Sequence, residues 1–161
     1  MKPNVGMTDK NRDGVVKALM ALLADEYVLY TKMRNYRWNV VGPHFSDLHK
    51  VFESQHEERD DIVDEVAKRA PAVGGHAIET LQEYTRQARV KEHPAHDPAS
   101  REMLVDLLGD HETIIRQLRE DVQMTAEKYH DVGTSDFLTG ILEQHERISW
   151  MLRANLEGQS K

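Results

Sequence analysis

The feature that most constrains this chain is the spacing of its apolar residues, which follows the period of an α-helix over four long segments. These segments run roughly from Asp13 to Val40, from Ser46 to Val73, from Ala99 to His130 and from Ser135 to Leu156. None of them alternates apolar and polar residues with the period of two that a half-buried strand shows. Helices of roughly 25–30 residues are about 40 Å long and bury such stripes only against one another. The sequence therefore predicts an all-α four-helix bundle.

The connection between the second and third segments is the longest in the chain, and it contains a short predicted helix over residues 78–89. A bundle with one long crossover has the connectivity of the ferritin-like folds. We therefore expect a ferritin-like four-helix domain over residues 13–157, with a short extra helix between its second and third long helices. A flexible N-terminal arm over residues 1–12 and a short C-terminal tail over residues 158–161 complete the predicted organisation.

The composition of the chain excludes several classes of protein. There is no cysteine, so the chain forms neither disulfides nor thiolate metal sites. The formal net charge of -7 argues against a surface that binds nucleic acid over its whole area. The apolar runs are too short to span a membrane, and the N-terminal residues lack the apolar stretch of a secretory signal. The count of nine histidines is high for this length and suggests metal or proton chemistry.

Polar side chains of the second segment fall on one stripe, about 80° wide at 100° per residue, that flanks the apolar stripe. They are His49, Glu53, His56, Asp60 and Asp64. Imidazole and carboxylate ligands together suit iron or zinc. A solvated acidic face with two incidental histidines has the same spacing, and it is the simpler interpretation of the pattern taken alone.

A second polar set lies in the middle of the predicted helices, on or beside their apolar stripes. Its members are Glu26, Arg59, His111 and His145. Di-iron sites inside a bundle use glutamates and Glu-x-x-His pairs, whereas the last segment offers His145 and Glu146 at the wrong spacing. We therefore expect a buried hydrogen-bonded layer, with Glu26 paired to Arg59, in preference to a metal site within the bundle.

One block of the sequence, VLYTKMRNYRWNVVGPHF over residues 28–45, resembles the signature of the Dps family of mini-ferritins. Shorter stretches are similar to the same family: FSDLHKVFE at 45–53, DEVAKR at 64–69, TSDFL at 134–138 and WML at 150–152. The resemblance covers nearly the whole chain. It implies a hollow homo-dodecamer in the cytoplasm, free or associated with the nucleoid. It also implies oxidation of Fe(II), preferentially with hydrogen peroxide, storage of the ferric product and protection of DNA.

The resemblance further implies a ferroxidase centre that two subunits share. His49, Glu53 and Asp64 match its metal ligands, with Asp64 supplied by the other subunit. Arg37 stands where the family has a ligand histidine, and Lys68 stands where it has a glutamate. Both side chains carry protons on every donor atom at neutral pH, so neither binds a metal. We therefore expect an altered centre, and whether the chain is an enzyme stays open because the family's ferroxidase reaction should be weak or relocated.

The two basic residues suggest salt bridges in place of the metal. In that arrangement Arg37 pairs with the partner subunit's Asp64, and Lys68 pairs with Glu53 or a neighbouring acid. The former metal site then becomes a network of ion pairs between subunits.

Two alternatives keep a metal at this surface. A relocated site, for iron or zinc, combines His49 and Glu53 with His56 and Asp60, or weak iron binding persists at the family positions. A tryptophan neighbours the metal centre in the family, and we interpret Trp38 as a packing residue near that centre.

Iron entry and DNA binding both depend on where charged side chains cluster. Asp131 and Asp136 resemble the carboxylates that line the iron-entry pores of the family. The arm and the tail hold few clustered cations, so DNA binding should be weak or absent. Two alternative functions remain: a cage without ferroxidase activity, and a DNA-compacting protein without metal chemistry.

Overall fold

The computed structural model describes residues 3–94 and 98–158, apart from the side chains of residues 57 and 58. All regular secondary structure in this part of the chain is helical, which confirms the all-α prediction. The helices in chain order are α1 (Asp9–Asn39), α2 (Phe45–Ala72), α3 (Leu81–Gln87), α4 (Ser100–Glu127) and α5 (Val132–Gly158). Four of these helices are long, and α3 is the short helix of the crossover.

The first helix begins at Asp9, earlier than the predicted Asp13. The side chain of Thr8 accepts a hydrogen bond from the backbone N–H of Asn11 at 3.2 Å and caps the helix. Arg12 is buried, and its Nε donates to the backbone carbonyl at the C-cap of α2 at 2.9 Å. The end of the predicted arm is therefore helical and anchored to α2. The outermost residues of the arm and most of the predicted tail lie outside the described residues.

Local capping explains two further helix starts. At α3, Thr80 Oγ1 accepts from the N–H of Glu83 at 3.3 Å, and Glu83 Oε2 accepts from the N–H of Thr80 at 3.1 Å. At α5, Asp131 Oδ1 accepts from the N–H of Thr134 at 3.0 Å, so the helix begins earlier than predicted, at Val132. Side chains close in sequence therefore set both boundaries.

The long helices pack as two pairs, α1 with α2 and α4 with α5, and the crossover joins the pairs into one bundle. Short connections make each pair antiparallel. The apolar stripes meet in one core, whose fully buried members include Leu19, Leu23, Leu29, Met33, Phe52, Val66, Leu104, Leu107, Ile114, Leu138, Ile148 and Leu152. No helix in the described part of the chain has a segment that is both long and apolar enough to cross a membrane.

The crossover is attached to the bundle at two places. The ring of Tyr84 in α3 stacks on Tyr27 of α1 with centroids 4.0 Å apart. Just after α3, Arg89 Nε lies 2.7 Å from Asp25 Oδ2, and Arg89 Nη1 lies 3.0 Å from Asp121 Oδ2. Because Asp25 is fully buried, this ion pair fixes the crossover across α1 and α4.

Candidate metal centre

The last turn of α1 and the first turns of α2 bring together three of the predicted site residues, Arg37, His49 and Glu53. Arg37 Nη2 donates to Glu53 Oε1 at 2.9 Å, and both side chains are partly exposed. The Nδ1 atom of His49 lies 3.2 Å from the backbone carbonyl oxygen of Arg37. Because a carbonyl oxygen only accepts, Nδ1 carries the proton and Nε2 keeps its lone pair. The corner therefore presents one imidazole nitrogen that can bind a metal, and one carboxylate that Arg37 holds.

Asp64 and Lys68 form an ion pair one turn apart on the exposed face of α2. The hydrogen bond to Asp64 and the charge of that carboxylate raise the pKa of Lys68, so the ammonium group stays charged. The expected contact of Arg37 with the partner subunit's Asp64 involves a second chain and stays a prediction. Arg37 reaches Glu53 across the α1–α2 hairpin of its own chain, and Lys68 holds Asp64 within α2.

The helical rise separates the candidate ligands within one chain. Glu53 and Asp64 lie eleven residues apart on α2, which is about 16 Å along the helix axis. A metal–oxygen bond is roughly 2 Å long, so one ion cannot bind both carboxylates of the same chain. Among the described residues, no group of three or more histidine, aspartate and glutamate side chains could hold a metal ion. The predicted ligand set therefore needs contributions from two chains.

The residues of the relocated site lie in different surroundings. The ring of His56 stacks on Tyr30 of α1 with centroids 4.7 Å apart. Asp60 is exposed on α2, one turn further along. A site that uses both residues would also need ligands from a second chain.

Exposed apolar side chains surround the α1–α2 corner. Trp38 is 65% exposed, and the guanidinium of Arg34 lies 5.1 Å from the centroid of its ring. Val41 and Phe45 are also exposed, and the ring of Phe45 lies 5.4 Å from that of His49. The interpretation of Trp38 as a packing residue is wrong for the single chain, because the side chain lies on the outward face of α1. An apolar group of this kind is typical of a surface that another chain covers.

The two carboxylates assigned to a pore have different environments. Asp131 is buried, and its two oxygens accept from the backbone N–H and the hydroxyl of Thr134. Arg69 donates to the same hydroxyl at 3.0 Å and lies 3.8 Å from Asp131 Oδ1. Asp136 is exposed. Asp131 therefore caps α5, whereas Asp136 keeps a solvent-facing charge.

A polar layer crosses the middle of the bundle, with one fully buried side chain from each long helix: Glu26, Arg59, His111 and His145. Arg59 Nη1 donates to Glu26 Oε2 at 2.6 Å, which confirms the predicted pair. His145 Nε2 lies 2.7 Å from Glu26 Oε1, and His111 Nδ1 lies 3.0 Å from His145 Nδ1. Arg59 Nη2 lies 3.4 Å from His111 Nε2. These contacts form a closed ring of four side chains.

One assignment of protons satisfies the ring. Burial raises the pKa of Glu26, but the charges and hydrogen bonds of Arg59 and His145 outweigh burial and lower that pKa to about 2. Burial lowers the pKa of His111 and of His145, so both rings are neutral. The ionised Glu26 accepts from His145 Nε2–H, His145 Nδ1 accepts from His111 Nδ1–H, and His111 Nε2 accepts from Arg59. The layer thus contains one anion and one cation.

A second network, which is partly buried, is not predicted from the sequence. Lys32 Nζ lies 2.6 Å from Asp110 Oδ2 and 3.0 Å from Asp106 Oδ2, and the Tyr36 hydroxyl donates to Asp106 at 2.6 Å. Burial raises the pKa of Asp110 to about 6 against the opposing effect of Lys32. The sequence does contain a signal for this network. Its members on α1 are four residues apart, as are its two aspartates on α4, so each pair lies on one face of its helix. The network fixes the half of α1 that carries Arg37.

Comparison with known proteins gives a consistent picture. A model of the ferritin-like domain matches residues 16–160. An uncharacterized low temperature-induced protein of Nostoc sp. is 42% identical over 156 residues, which cover 97% of this chain and 87% of that protein. DNA protection during starvation protein 2 of Bacillus anthracis is 35% identical over 142 residues, covering 88% of this chain and 96% of that protein. The crystal structure of a Dps protein from Bacillus brevis superposes with a TM-score of 0.87 at 31% identity, covering 93% and 99% of the two chains.

Proposed function

This chain belongs to the ferritin-like domain family, and from that membership we propose that it is a Dps-type iron-handling protein that protects DNA from iron and peroxide. Relatives named for DNA protection during starvation, together with the solved Dps structures, support iron storage and DNA protection at the level of the family. The observation that carries the proposal is an incomplete set of metal ligands on the exposed surface of the chain, which we call the half-site. His49 Nε2 and Glu53 lie there beside exposed apolar side chains.

A second copy of the chain is the partner that completes this half-site. The spacing of about 16 Å between Glu53 and Asp64 prevents one chain from supplying the whole ligand set. The apolar corner around Trp38 gives a second copy a surface to bury. Two-fold contacts of this kind are self-complementary, because each subunit gives the other the same residues. We propose that such contacts recur in a cage of twelve subunits, as in the Dps family.

Fe(II) is the substrate of the proposed centre. His49 Nε2 and Glu53 of one subunit bind it together with the partner subunit's Asp64. Arg37 and Lys68 compete with iron, since each already holds one of the two carboxylates. Two Fe(II) ions would each give one electron to one hydrogen peroxide, which takes up two protons and becomes two water molecules, so that no hydroxyl radical is released. We expect this oxidation to be slow but protective, with the ferric product stored in the cage.

Protection of DNA does not require tight binding to it. The net charge of -7 opposes the binding of phosphate, so we propose weak or absent DNA binding. Removal of iron and peroxide from the cytoplasm, free or near the nucleoid, is then sufficient. The alternatives are a cage without ferroxidase activity and a DNA-compacting protein without metal chemistry.

A single series of measurements tests the proposal. Fe(II) is added anaerobically to the purified protein, and hydrogen peroxide follows while ferric absorbance and plasmid nicking are recorded. We expect a particle of about twelve subunits by light scattering, a slow ferric signal, intact plasmid and no gel shift at physiological salt. Zinc, which suits the same ligands, should inhibit the signal. A cage that gives no ferric signal above a protein-free blank supports the first alternative. A gel shift at physiological salt without iron chemistry supports the second.

Iron entry should depend on Asp136 more than on Asp131. Asp136→Asn removes an exposed carboxylate that attracts cations, so iron uptake should slow roughly two- to fivefold at low salt with unchanged thermal stability. Asp131→Asn should hardly slow uptake, because Asp131 is buried, but it should lower thermal stability, because asparagine keeps only one of the two acceptor oxygens. The matched control is Glu157→Gln, which removes an exposed charge about 30 Å further along α5. Equal slowing by Asp136→Asn and Glu157→Gln would mean that only net charge matters.

A further inference from the structure

The buried layer of Glu26, Arg59, His111 and His145 has no part in the proposed surface chemistry. It lies in the middle of the bundle, and each long helix contributes one of its side chains. All four side chains are fully excluded from solvent. Burying charged groups is costly unless they are paired, and apolar residues of similar volume would often stabilise the core as well or better. The presence of this layer is therefore not explained by stability alone.

The guanidinium of Arg59 lies among groups that normally bind metals. Its Nη1 is 2.6 Å from Glu26 Oε2, and its Nη2 is 3.4 Å from His111 Nε2. In the proton assignment above, both acceptors direct lone pairs at the guanidinium. His145 donates to the other oxygen of Glu26 and accepts from His111 Nδ1–H, so it orients both of these groups. A metal-binding histidine whose second nitrogen is hydrogen-bonded, beside a held carboxylate, is the usual arrangement around protein-bound iron or zinc.

Glutamate and histidine are donors of the kind that bind divalent metals, but the layer with Arg59 in it is not a metal-binding group. Ferritin-like bundles bind metals in their cores with carboxylates and histidines from facing helices. Here a permanently charged guanidinium occupies the space between the donors, because arginine does not lose its proton in proteins. A dication beside it would be repelled at a separation at which no water screens the charges. Iron is therefore excluded from this position as long as Arg59 is present.

We propose that the layer is a divalent-metal site of the glutamate–histidine class that Arg59 holds closed. Glu26 and His111 are the metal ligands of the latent site, and His145 positions them. Arg59 supplies the positive charge that a metal would otherwise supply. Arg59 thereby keeps iron out of the helical core. Iron then binds only on the surface of the bundle, at the α1–α2 corner and on the face that lines the inside of the cage.

Substitutions at Arg59 that differ in charge test this inference. Arg59→Gln removes the cation and leaves a shorter, neutral polar side chain, whereas Arg59→Lys keeps a cation on a flexible stem. Each assembled protein is titrated with Co²⁺, and the visible ligand-field spectrum and the unfolding temperature are recorded. We expect Arg59→Gln to gain one Co²⁺ per subunit, with at least about a hundredfold higher affinity than Arg59→Lys, which is ~2.8 kcal/mol. The unfolding temperature of Arg59→Gln should rise with Co²⁺, because binding to the folded state stabilises it.

Two further measurements identify the site and make every outcome decisive. Adding His111→Leu to Arg59→Gln should abolish the new Co²⁺ spectrum. In the wild type, Co²⁺ should leave the NMR signals of the His111 and His145 rings unchanged. Removing Arg59 leaves Glu26 without its cation. If Arg59→Gln refolds only with Co²⁺, that metal-dependent refolding supports the proposal. The proposal is overturned if Co²⁺ neither binds to nor refolds Arg59→Gln. It is equally overturned if Arg59→Lys gains the same metal, because the charge would then not be what closes the site.

Discussion

Restoring the family's ligands should make this protein a faster ferroxidase. The double substitution Arg37→His plus Lys68→Glu should raise the rate of Fe(II) oxidation by hydrogen peroxide at least about tenfold, which is ~1.4 kcal/mol of activation free energy. The substitutions release Glu53 and Asp64 from the ion pairs that hold them and add a nitrogen and an oxygen ligand. They also remove two positive charges from the place where a dication has to bind. Stopped-flow measurement of ferric absorbance gives the rate.

The control for this prediction separates loss of charge from gain of ligands. Arg37→Gln plus Lys68→Gln removes both cations but adds no imidazole or carboxylate, so we expect it to lie between the wild type and the restored variant. Each single substitution should do less than the double, because one cation remains. If the wild type already oxidises iron as fast as the restored variant, the centre does not lie at these residues.

Glu26→Gln should destabilise the protein more than any conservative surface change. The substitution leaves Arg59 as a buried cation without its anion, and breaking one partner of a buried pair typically costs about 3–5 kcal/mol. For a domain of this size we expect an unfolding temperature roughly 6–20 °C lower. Calorimetry or circular dichroism at equal protein concentration measures the difference. The matched control is Glu146→Gln, which breaks the exposed pair with Arg119 and should cost less than about 1 kcal/mol.

Acidification should reduce this difference. The folded-state pKa of Glu26 is about 2, and its ordinary value is 4.5. The stabilisation that its ionised form contributes is therefore complete above pH 4.5 and is lost as the pH falls towards 2. The difference in unfolding temperature between the wild type and Glu26→Gln should accordingly narrow over that interval. A difference that stays constant down to pH 2 would contradict the assignment of Glu26 as a buried anion.

The three basic residues Arg37, Arg59 and Lys68 should exclude iron to different degrees, because their ion pairs differ in exposure to solvent. Lys68 and Asp64 are largely exposed, so solvent screens their attraction and a bound iron ion can displace the ammonium. Arg37 and Glu53 are intermediate in exposure, and their pair should be harder to open. Arg59 and Glu26 are fully buried, so the guanidinium cannot move aside into water. If the proposed assignment holds, we expect these charges to slow iron binding at the surface and to prevent it in the core.

The sequence by itself determined the helices and the types of residue at the critical positions. Apolar periodicity depends on neighbours three and four residues apart, so the all-α bundle and its crossover helix could be predicted without a structure. The pair of Glu26 and Arg59 was also predictable, since both lie mid-helix on apolar stripes where a charge needs a partner. The presence of Arg37 and Lys68 at expected ligand positions is a property of the sequence alone.

The tertiary structure decided which of these residues meet. The packing of α1 on α2 placed Arg37 Nη2 2.9 Å from Glu53 Oε1. Asp131 became a helix cap because the turn before α5 directs its carboxylate to the N–H of Thr134. The ring around Arg59 closes only in the assembled bundle, since His111 and His145 come from helices far away in sequence. Such contacts depend on helix register and rotamer across the core, which local periodicity does not contain.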